Sequence, residues 1–213
     1  MAMDFKRITD RIWFMPGDSE RYFPVVTALL GNDKTLIIDG GATPENASQV
    51  MDGLKKLGRK ADFLVLSHWH WDHSFGLSQW KNIETIGQEK TVMILEEQAG
   101  FQWSDDALYW RMEQGIESEF MARLIKKEYP DLSQVKITLP KRYYVSQEII
   151  DLGGISCQLN HIPSDHSLDS TVIYVPEEKF LFLGDSLNEN IYCESWHYTH
   201  ERLSMLIDRL RDF

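Results

Sequence analysis

Residues 67–73, with the sequence SHWHWDH, constrain the chain more than any other stretch, because three histidines and one aspartate fall within six residues. They follow the apolar run at residues 63–66, which has the length and composition of a short buried β-strand. Imidazole nitrogens and carboxylate oxygens are preferred ligands of zinc and related cations. Side chains alternate along extended backbone, so His68 and His70 are expected to point the same way. The segment therefore predicts a metal site at one edge of a sheet.

The first third of the chain has the pattern of several strands and one covering helix. A Thr43-Pro44 pair predicts the start of the helix, and Gly58 predicts its end. A short helix is expected from about Ser78. The predicted strands cover residues 11–15, 25–30, 35–38 and 63–66, with a weak strand at 83–86.

The last third is again rich in strands, and Thr199 is expected to cap a final helix. The strands predicted here cover residues 148–152, 155–161, 171–175 and 179–183. Two strand-rich parts predict an α+β fold with a two-layered β core and helices outside. We expect residues 1–213 to form a single domain that contains a helical inserted segment at about 96–144.

The inserted segment carries a helical pattern and a dense group of aromatic residues. Apolar residues at a spacing of four predict a helix over residues 104–127, which Gly115 is expected to break or kink. Just before the segment, residues 92–95 predict a weak strand or a loop. The aromatic residues have two interpretations, as core or as the wall of a substrate pocket; they are Phe101, Trp103, Tyr109 and Trp110.

The pattern His68-x-His70-x-Asp72-His73 after a short apolar strand resembles the signature of the metallo-β-lactamase superfamily. That family is an αββα sandwich of metal-dependent hydrolases with relatives in redox chemistry. The resemblance covers roughly residues 11–210, with four of the family's five motifs in order.

Three further residues carry the other motifs of this resemblance. A histidine after the strand at 155–161 resembles the family's third motif, and both His161 and His166 are candidates. We prefer His166, because residues 167–172 continue as the family does. Asp185, at the end of the last predicted strand, resembles the carboxylate that bridges two metals, and Asp39 resembles the acceptor that orients the site.

The resemblance implies a ligand set for two metal ions. The first ion would be held by His68, His70 and His166, and the second by Asp72, His73 and the bridging Asp185. One or two zinc ions are implied, with iron or manganese as alternatives. Asp72 and Asp185 are the expected catalytic residues. Asp185 would bridge the two ions, and Asp72 could also hold the water and move its proton.

The resulting function is zinc-dependent hydrolysis of a small ester, thioester or lactone by a zinc-bound hydroxide. The alternatives are a phosphodiesterase, a redox member of the superfamily, and a weakly active or non-catalytic binding protein. His70 counts against the redox alternative, because the family's di-iron oxygen reductases carry glutamate at that position.

The family's fifth motif is a histidine on a strand after the last helix, and this sequence ends at Phe213 without it. We therefore expect the last strand and helix of the family fold to be missing, and favour this shortening over substitution by His197 or His200. A weaker second metal site and a tendency to form a homodimer are expected to follow.

Charge and apolar patterning narrow the possible partners to a small-molecule substrate. Lys and Arg number 22 against 33 Asp and Glu, and a net charge of −11 argues against nucleic acid as the main substrate. Neither a signal peptide nor an apolar run of membrane-spanning length is evident, which predicts a cytoplasmic protein. The widely separated Cys157 and Cys193 are expected to be reduced thiols.

Overall fold

Two β-sheets lie face to face in the computed structural model, which describes residues 4–191 and 195–213. The first sheet has seven strands in chain order, antiparallel through its first four strands and parallel thereafter. Its strands are β1 Lys6–Arg7, β2 Ile12–Met15, β3 Val26–Leu30, β4 Thr35–Ile38, β5 Phe63–Val65, β6 Glu84–Gln88 and β7 Arg142–Tyr144.

The second sheet has four antiparallel strands in the order β11-β10-β9-β8. They are β8 Gln147–Asp151, β9 Ser156–His161, β10 Thr171–Val175 and β11 Phe180–Phe182. The helices are α1 Pro44–Lys56, α2 Trp71–Ser74, α3 Glu89–Ala99, α4 Asp105–Glu113, α5 Glu119–Glu128 and α6 His200–Leu210. Short 3₁₀ turns span Phe75–Gln79, Leu132–Gln134 and Pro176–Glu178.

Buried apolar side chains form separate cores between and outside the sheets. Leu36 and Val65 of the first sheet pack with Leu159 and Ile173 of the second, which fills the space between the sheets. On the outer face of the first sheet, α1 packs through residues such as Val50. Helix α6 covers the outer face of the second sheet with Leu206, Leu210 and Phe213. This arrangement confirms the predicted αββα sandwich.

The predicted ends of α1 and α6 are confirmed by their capping contacts. The Thr43 hydroxyl accepts a hydrogen bond from the Asn46 amide at 3.1 Å, and Thr199 caps α6 through the Arg202 amide in the same way. Gly58 follows α1 with φ +68, a left-handed conformation that suits glycine.

Two local predictions were wrong, and a third was confirmed. Residues 92–95 lie within helix α3 rather than in a strand or loop, because Gln88 caps a helix there. The break expected at Gly115 in the helix predicted over 104–127 is confirmed, because Gly115 has φ +69 and the segment forms two helices, α4 and α5. Ile116 therefore lies in the connection, 43% exposed, instead of on a continuous apolar face. The short helix expected from Ser78 begins earlier, because α2 already starts at Trp71.

Cys157 is a free thiol buried between the two sheets. Burial raises the pKa of this thiol to about 12, so it is protonated at neutral pH. Cys193 lies outside the described residues. Within the described ranges, every helix is too short or too polar to cross a membrane.

Candidate metal centre

The ends of strands from both sheets converge on one cluster of histidines and carboxylates. His68 and His70 follow β5 in the first sheet, and Asp72 and His73 lie in the first turn of α2 immediately after them. From the second sheet, His166 follows β9 and Asp185 follows β11; both come to the same edge of the sandwich.

Three histidines form the first group that can hold a metal ion. One ring nitrogen from each of His68, His70 and His166 lies within 4.8 Å of the others, and all three side chains are buried. The three ring centroids are separated by 4.4 to 5.1 Å. Imidazoles that converge in this way fit a cation rather than one another.

Hydrogen bonds at Nδ1 set the orientation of two of these rings. The Nδ1 atom of His166 lies 3.1 Å from the carbonyl oxygen of Glu189, which requires Nδ1 to be the donor. His68 Nδ1 lies 2.9 Å from the Ser67 hydroxyl. The Nε2 atoms of His68 and His166 are buried without a hydrogen-bond partner. Both atoms are therefore available to a metal ion, and the residues present fit one.

A second group overlaps the first and contains His68, His73 and Asp185. The Nε2 atom of His73 lies 3.3 Å from Asp72 Oδ2 and 3.6 Å from Asp185 Oδ2. Asp185 Oδ2 is also 3.5 Å from His166 Nε2. Asp185 therefore lies between the two groups, where a bridging carboxylate is expected. His68, which we assigned to the first ion alone, contributes to both groups.

Asp39 is buried behind this cluster and accepts three hydrogen bonds. Its Oδ1 atom accepts from the Ser67 amide at 2.7 Å, and Oδ2 accepts from the Ser67 hydroxyl at 3.0 Å and from His73 Nδ1 at 2.9 Å. Asp39 has φ +75, at the turn that follows β4. With Nδ1 of His73 engaged, its Nε2 atom faces the carboxylates of Asp72 and Asp185.

Burial and neighbouring charges give the four histidines different proton affinities. Burial, reinforced by the neighbouring histidines, lowers the pKa of His68 and His70 well below the ordinary value. Burial also lowers the pKa of His166, against the opposing charge of Asp185. These three rings are therefore neutral at pH 7, the form that binds metals.

The carboxylates reverse the effect of burial at His73. Burial alone would lower the pKa of His73, but Asp72 and Asp39 outweigh it and raise the pKa well above the ordinary value. At Asp185 burial acts to raise the pKa, but the nearby His73 ring outweighs it and lowers the pKa. Asp185 is therefore ionised at neutral pH.

The histidines proposed as alternatives lie away from the cluster. His161 binds the Leu168 carbonyl at 2.9 Å through Nε2. His197 and His200 are exposed near the start of α6, and neither belongs to a potential metal group among the described residues. Of the two candidates for the third motif, the structure therefore brings His166, and not His161, to the site.

A cavity of about 320 Å³ opens beside the cluster and reaches Asp72, His166 and Asp185. Its apolar wall comes from Trp71 in α2 and from α5, whose contributing residues are Phe120, Met121 and Leu124. The aromatic residues singled out in the inserted segment do not line this cavity. Trp103 packs on Phe75 in the core, Phe101 packs on Arg111, and Tyr109 and Trp110 are exposed.

Two contributors to the site were missed by sequence reasoning. Ser67 contacts both Asp39 and His68, and its position directly before the first histidine was an available signal. The Glu189 carbonyl orients His166, but a backbone acceptor leaves no signal in the sequence. Sequence reasoning also did not identify α5 as a wall of the cavity, because this required the positions of α4 and α5 as separate helices.

An αββα sandwich with histidines and carboxylates gathered at its strand ends defines a class of protein that can hold a metal ion at that edge. A family model for the metallo-beta-lactamase superfamily matches residues 21–200. The chain belongs to the metallo-β-lactamase superfamily. No curated protein is similar enough in sequence to count as a relative.

Solved structures share the fold at low sequence identity. A metallo-beta-lactamase from Pontibacter korlensis matches 99% of this chain and 85% of its own, with 16% identity and a TM-score of 0.69. The FEZ-1 metallo-beta-lactamase from Legionella gormanii matches 99% of this chain and 76% of its own, with 16% identity and a TM-score of 0.64. At this identity the likeness extends to the fold, and the substrate has to be argued from the site.

Proposed function

We propose that the protein is a zinc-dependent hydrolase that cleaves a small ester, thioester or lactone. The observation that carries this proposal is the convergence of His68, His70 and His166 beside Asp185, at the mouth of a largely apolar cavity. Three neutral imidazoles and an ionised carboxylate suit zinc. An apolar wall next to a metal site suits a small carbonyl compound better than a polyanion.

In this proposal six residues would hold the metal ions, and one of them would also carry a proton. His68, His70 and His166 hold the first ion, and His73 with Asp72 and Asp185 holds the second. A bound divalent ion supplies Lewis acidity, which activates water and polarises the carbonyl group of the substrate. Asp72 is partly exposed and borders the cavity, so its carboxylate can take up a proton from water and deliver it to the leaving group.

The test compares the zinc-loaded protein with chelated protein on esters, thioesters and lactones, with a phosphodiester and a structured RNA as competing substrate classes. We expect hydrolysis of a carbonyl compound that chelation abolishes and zinc restores. His166→Ala should reduce kcat/KM by at least about a hundredfold, the scale of losing a metal ligand or its support. His161→Ala is the matched control, because it removes a histidine at the end of β9 that lies outside the cluster.

The metal content and the substrate profile together separate the alternatives. Faster turnover of the phosphodiester or RNA would replace this proposal with a phosphodiesterase, and bound iron with oxygen consumption would replace it with a redox enzyme. Zinc bound without turnover of any compound would favour a binding protein.

A further inference from the structure

The cavity beside the metal cluster has a wall of aromatic rings. Phe120 lies at its centre, with its ring centroid 6.0 Å from Tyr22 and 5.1 Å from Trp196. The interplanar angles are 82° and 72°, so the rings meet edge to face. Tyr22 and Trp196 are 38% and 43% exposed, which leaves ring surface available for an apolar group to cover.

The charged residues that line this cavity are all acidic. Its lining includes three acidic residues, Asp72, Asp185 and Glu189, and no lysine or arginine lines it among the described residues. Asp185 belongs to the second metal group and Asp72 lies 3.3 Å from His73 of that group, whereas Glu189 belongs to neither group. Away from the metals, Glu189 is therefore the charge that a bound substrate would meet.

The cations near the wall are engaged or lie outside the lining. Arg21, next to Tyr22 in the chain, forms ion pairs with Glu45 at 3.0 Å and Glu128 at 2.9 Å. Arg123 is exposed and lies 5.8 Å from the Phe120 ring centre, but it does not line the cavity. Beside the aromatic wall and away from the metal groups, an anionic substituent would lose its hydration without gaining a cationic partner from the residues that line the cavity.

We propose that this cavity selects substrates by charge, and that it admits an apolar, ring-sized group that is uncharged or positively charged and discriminates against an anionic one. This inference rests on the proposed hydrolase function, because it assigns the substrate group that lies beside the cleaved bond. Aromatic faces together with a carboxylate favour an organic cation. A cavity of about 320 Å³ is at the small end for ligand sites, which suits one ring.

Binding is tested separately from catalysis with three N-aryl acetamides that carry methyl, trimethylammonium or sulfonate at the para position. Their dissociation constants for the zinc-loaded protein can be measured by tryptophan fluorescence, because Trp71 and Trp196 line the cavity. We expect the methyl and trimethylammonium compounds to bind at least about tenfold more tightly than the sulfonate, a modest value for like-charge repulsion.

Variants identify the groups responsible. Glu189→Gln should reduce the ratio between the dissociation constants of the sulfonate and trimethylammonium compounds several-fold. The backbone carbonyl of residue 189 would still accept the hydrogen bond from His166. Phe120→Leu retains apolar volume without a ring. Of the three compounds, the trimethylammonium compound should lose the most binding affinity in this variant. Tyr109→Leu is the matched control, because Tyr109 is an exposed aromatic residue on α4 outside the cavity.

The corresponding aryl acetates test the same preference in hydrolysis, with each rate divided by its rate with hydroxide ion in solution. Turnover of the acetates without the charge order would overturn this inference and leave the hydrolase proposal intact. The charge order in acetamide binding without turnover would overturn the hydrolase proposal alone. Two further results would overturn the charge selection. One is tight binding of the sulfonate compound that is lost in Arg123→Ala, and the other is no binding of any acetamide.

Discussion

The Nδ1 atom of His73 lies 2.9 Å from Oδ2 of Asp39, in a contact buried behind the metal cluster. The same carboxylate accepts hydrogen bonds from the amide and the hydroxyl of Ser67, the residue before His68. Asp39 therefore connects the turn after β4 to both ends of the histidine segment. We infer that it fixes the direction in which His73 presents Nε2.

Replacing this acceptor should weaken metal binding without removing a ligand. We expect Asp39→Asn to lower zinc affinity by about 10- to 100-fold, because an amide cannot accept all three hydrogen bonds. Competition with a chelator of known affinity measures the change. Asp52→Asn, at an exposed position on α1, is the control and should leave the affinity unchanged. Equal affinities for the wild type and the Asp39 variant would show that Asp39 does not orient the site.

Zinc should stabilise the folded protein, because the candidate ligands come from the ends of strands in both sheets. Binding to the native state alone adds about 2.7 kcal/mol to the free energy of unfolding when free zinc is 100 times Kd. Thermal unfolding with and without zinc measures this as a rise in Tm. His166→Ala should lose most of the rise while His161→Ala keeps it. A rise of the same size in both variants would place the stabilising zinc elsewhere.

The two metal groups should differ in affinity. The first consists of three buried imidazoles, whereas the second uses Asp185, which is only partly buried. We expect the first zinc to bind more tightly than the second, so that dialysed protein retains closer to one ion than two per chain. Titration followed by calorimetry measures both events. Two ions of equal affinity would contradict the expectation.

Asp169 should make stability depend on pH in a direction opposite to that of most carboxylates. Burial raises its pKa, although hydrogen bonds from Ser167 and Thr91 act against this. The folded state therefore keeps the proton to higher pH than the unfolded state, and its contribution to stability is lost as pH rises from about 3.9 through the folded pKa.

This effect can be isolated with Asp169→Asn, which does not titrate. In metal-free protein, we expect the wild type to lose stability relative to the variant as the pH rises from 4 to 7. Urea unfolding of both proteins at several pH values gives the difference. A difference that stays constant, or that changes in favour of the wild type, would show that the pKa of Asp169 is not raised.

Helix α6 is attached to the loop of His166 through one buried carboxylate. Asp165 accepts hydrogen bonds from the Thr199 amide at 3.0 Å and from the Thr199 hydroxyl at 2.7 Å. We expect Asp165→Ala to lower the free energy of unfolding by about 1 kcal/mol, the scale of a lost hydrogen bond, because the Thr199 donors that it leaves unpaired are only partly buried. Asp208→Ala, which removes an exposed carboxylate of α6 paired with Arg211, should change it by less than about 0.5 kcal/mol. Equal losses would contradict this role.

The structure brings together the residues that the sequence proposed as metal ligands, and most of them were proposed from short, local patterns at strand ends. His68, His70, Asp72 and His73 lie close in the chain, so their proximity needed no knowledge of long-range packing. His166 and Asp185 were proposed because the segments after two predicted strands resemble further motifs of the family, and the structure brings both residues to the cluster. Asp39 follows a strand in the same way.

The cavity wall could not be predicted, because it does not follow from a short, local pattern. An apolar spacing of four over residues 104–127 suits one long helix as well as two short ones, and the direction of Phe120 depends on the turn at Gly115. The pocket-wall interpretation therefore included Tyr109 and Trp110, which are exposed. It did not include Phe120, which lines the cavity.

The most direct test of the central claim is anomalous diffraction at the zinc absorption edge from crystals of the zinc-loaded protein. We predict an anomalous peak at about 2.0–2.1 Å from the Nε2 atoms of His68, His70 and His166, the usual length of a zinc–nitrogen bond. A zinc peak elsewhere in the protein, or a fully occupied zinc site that does not include these three nitrogens, would contradict it.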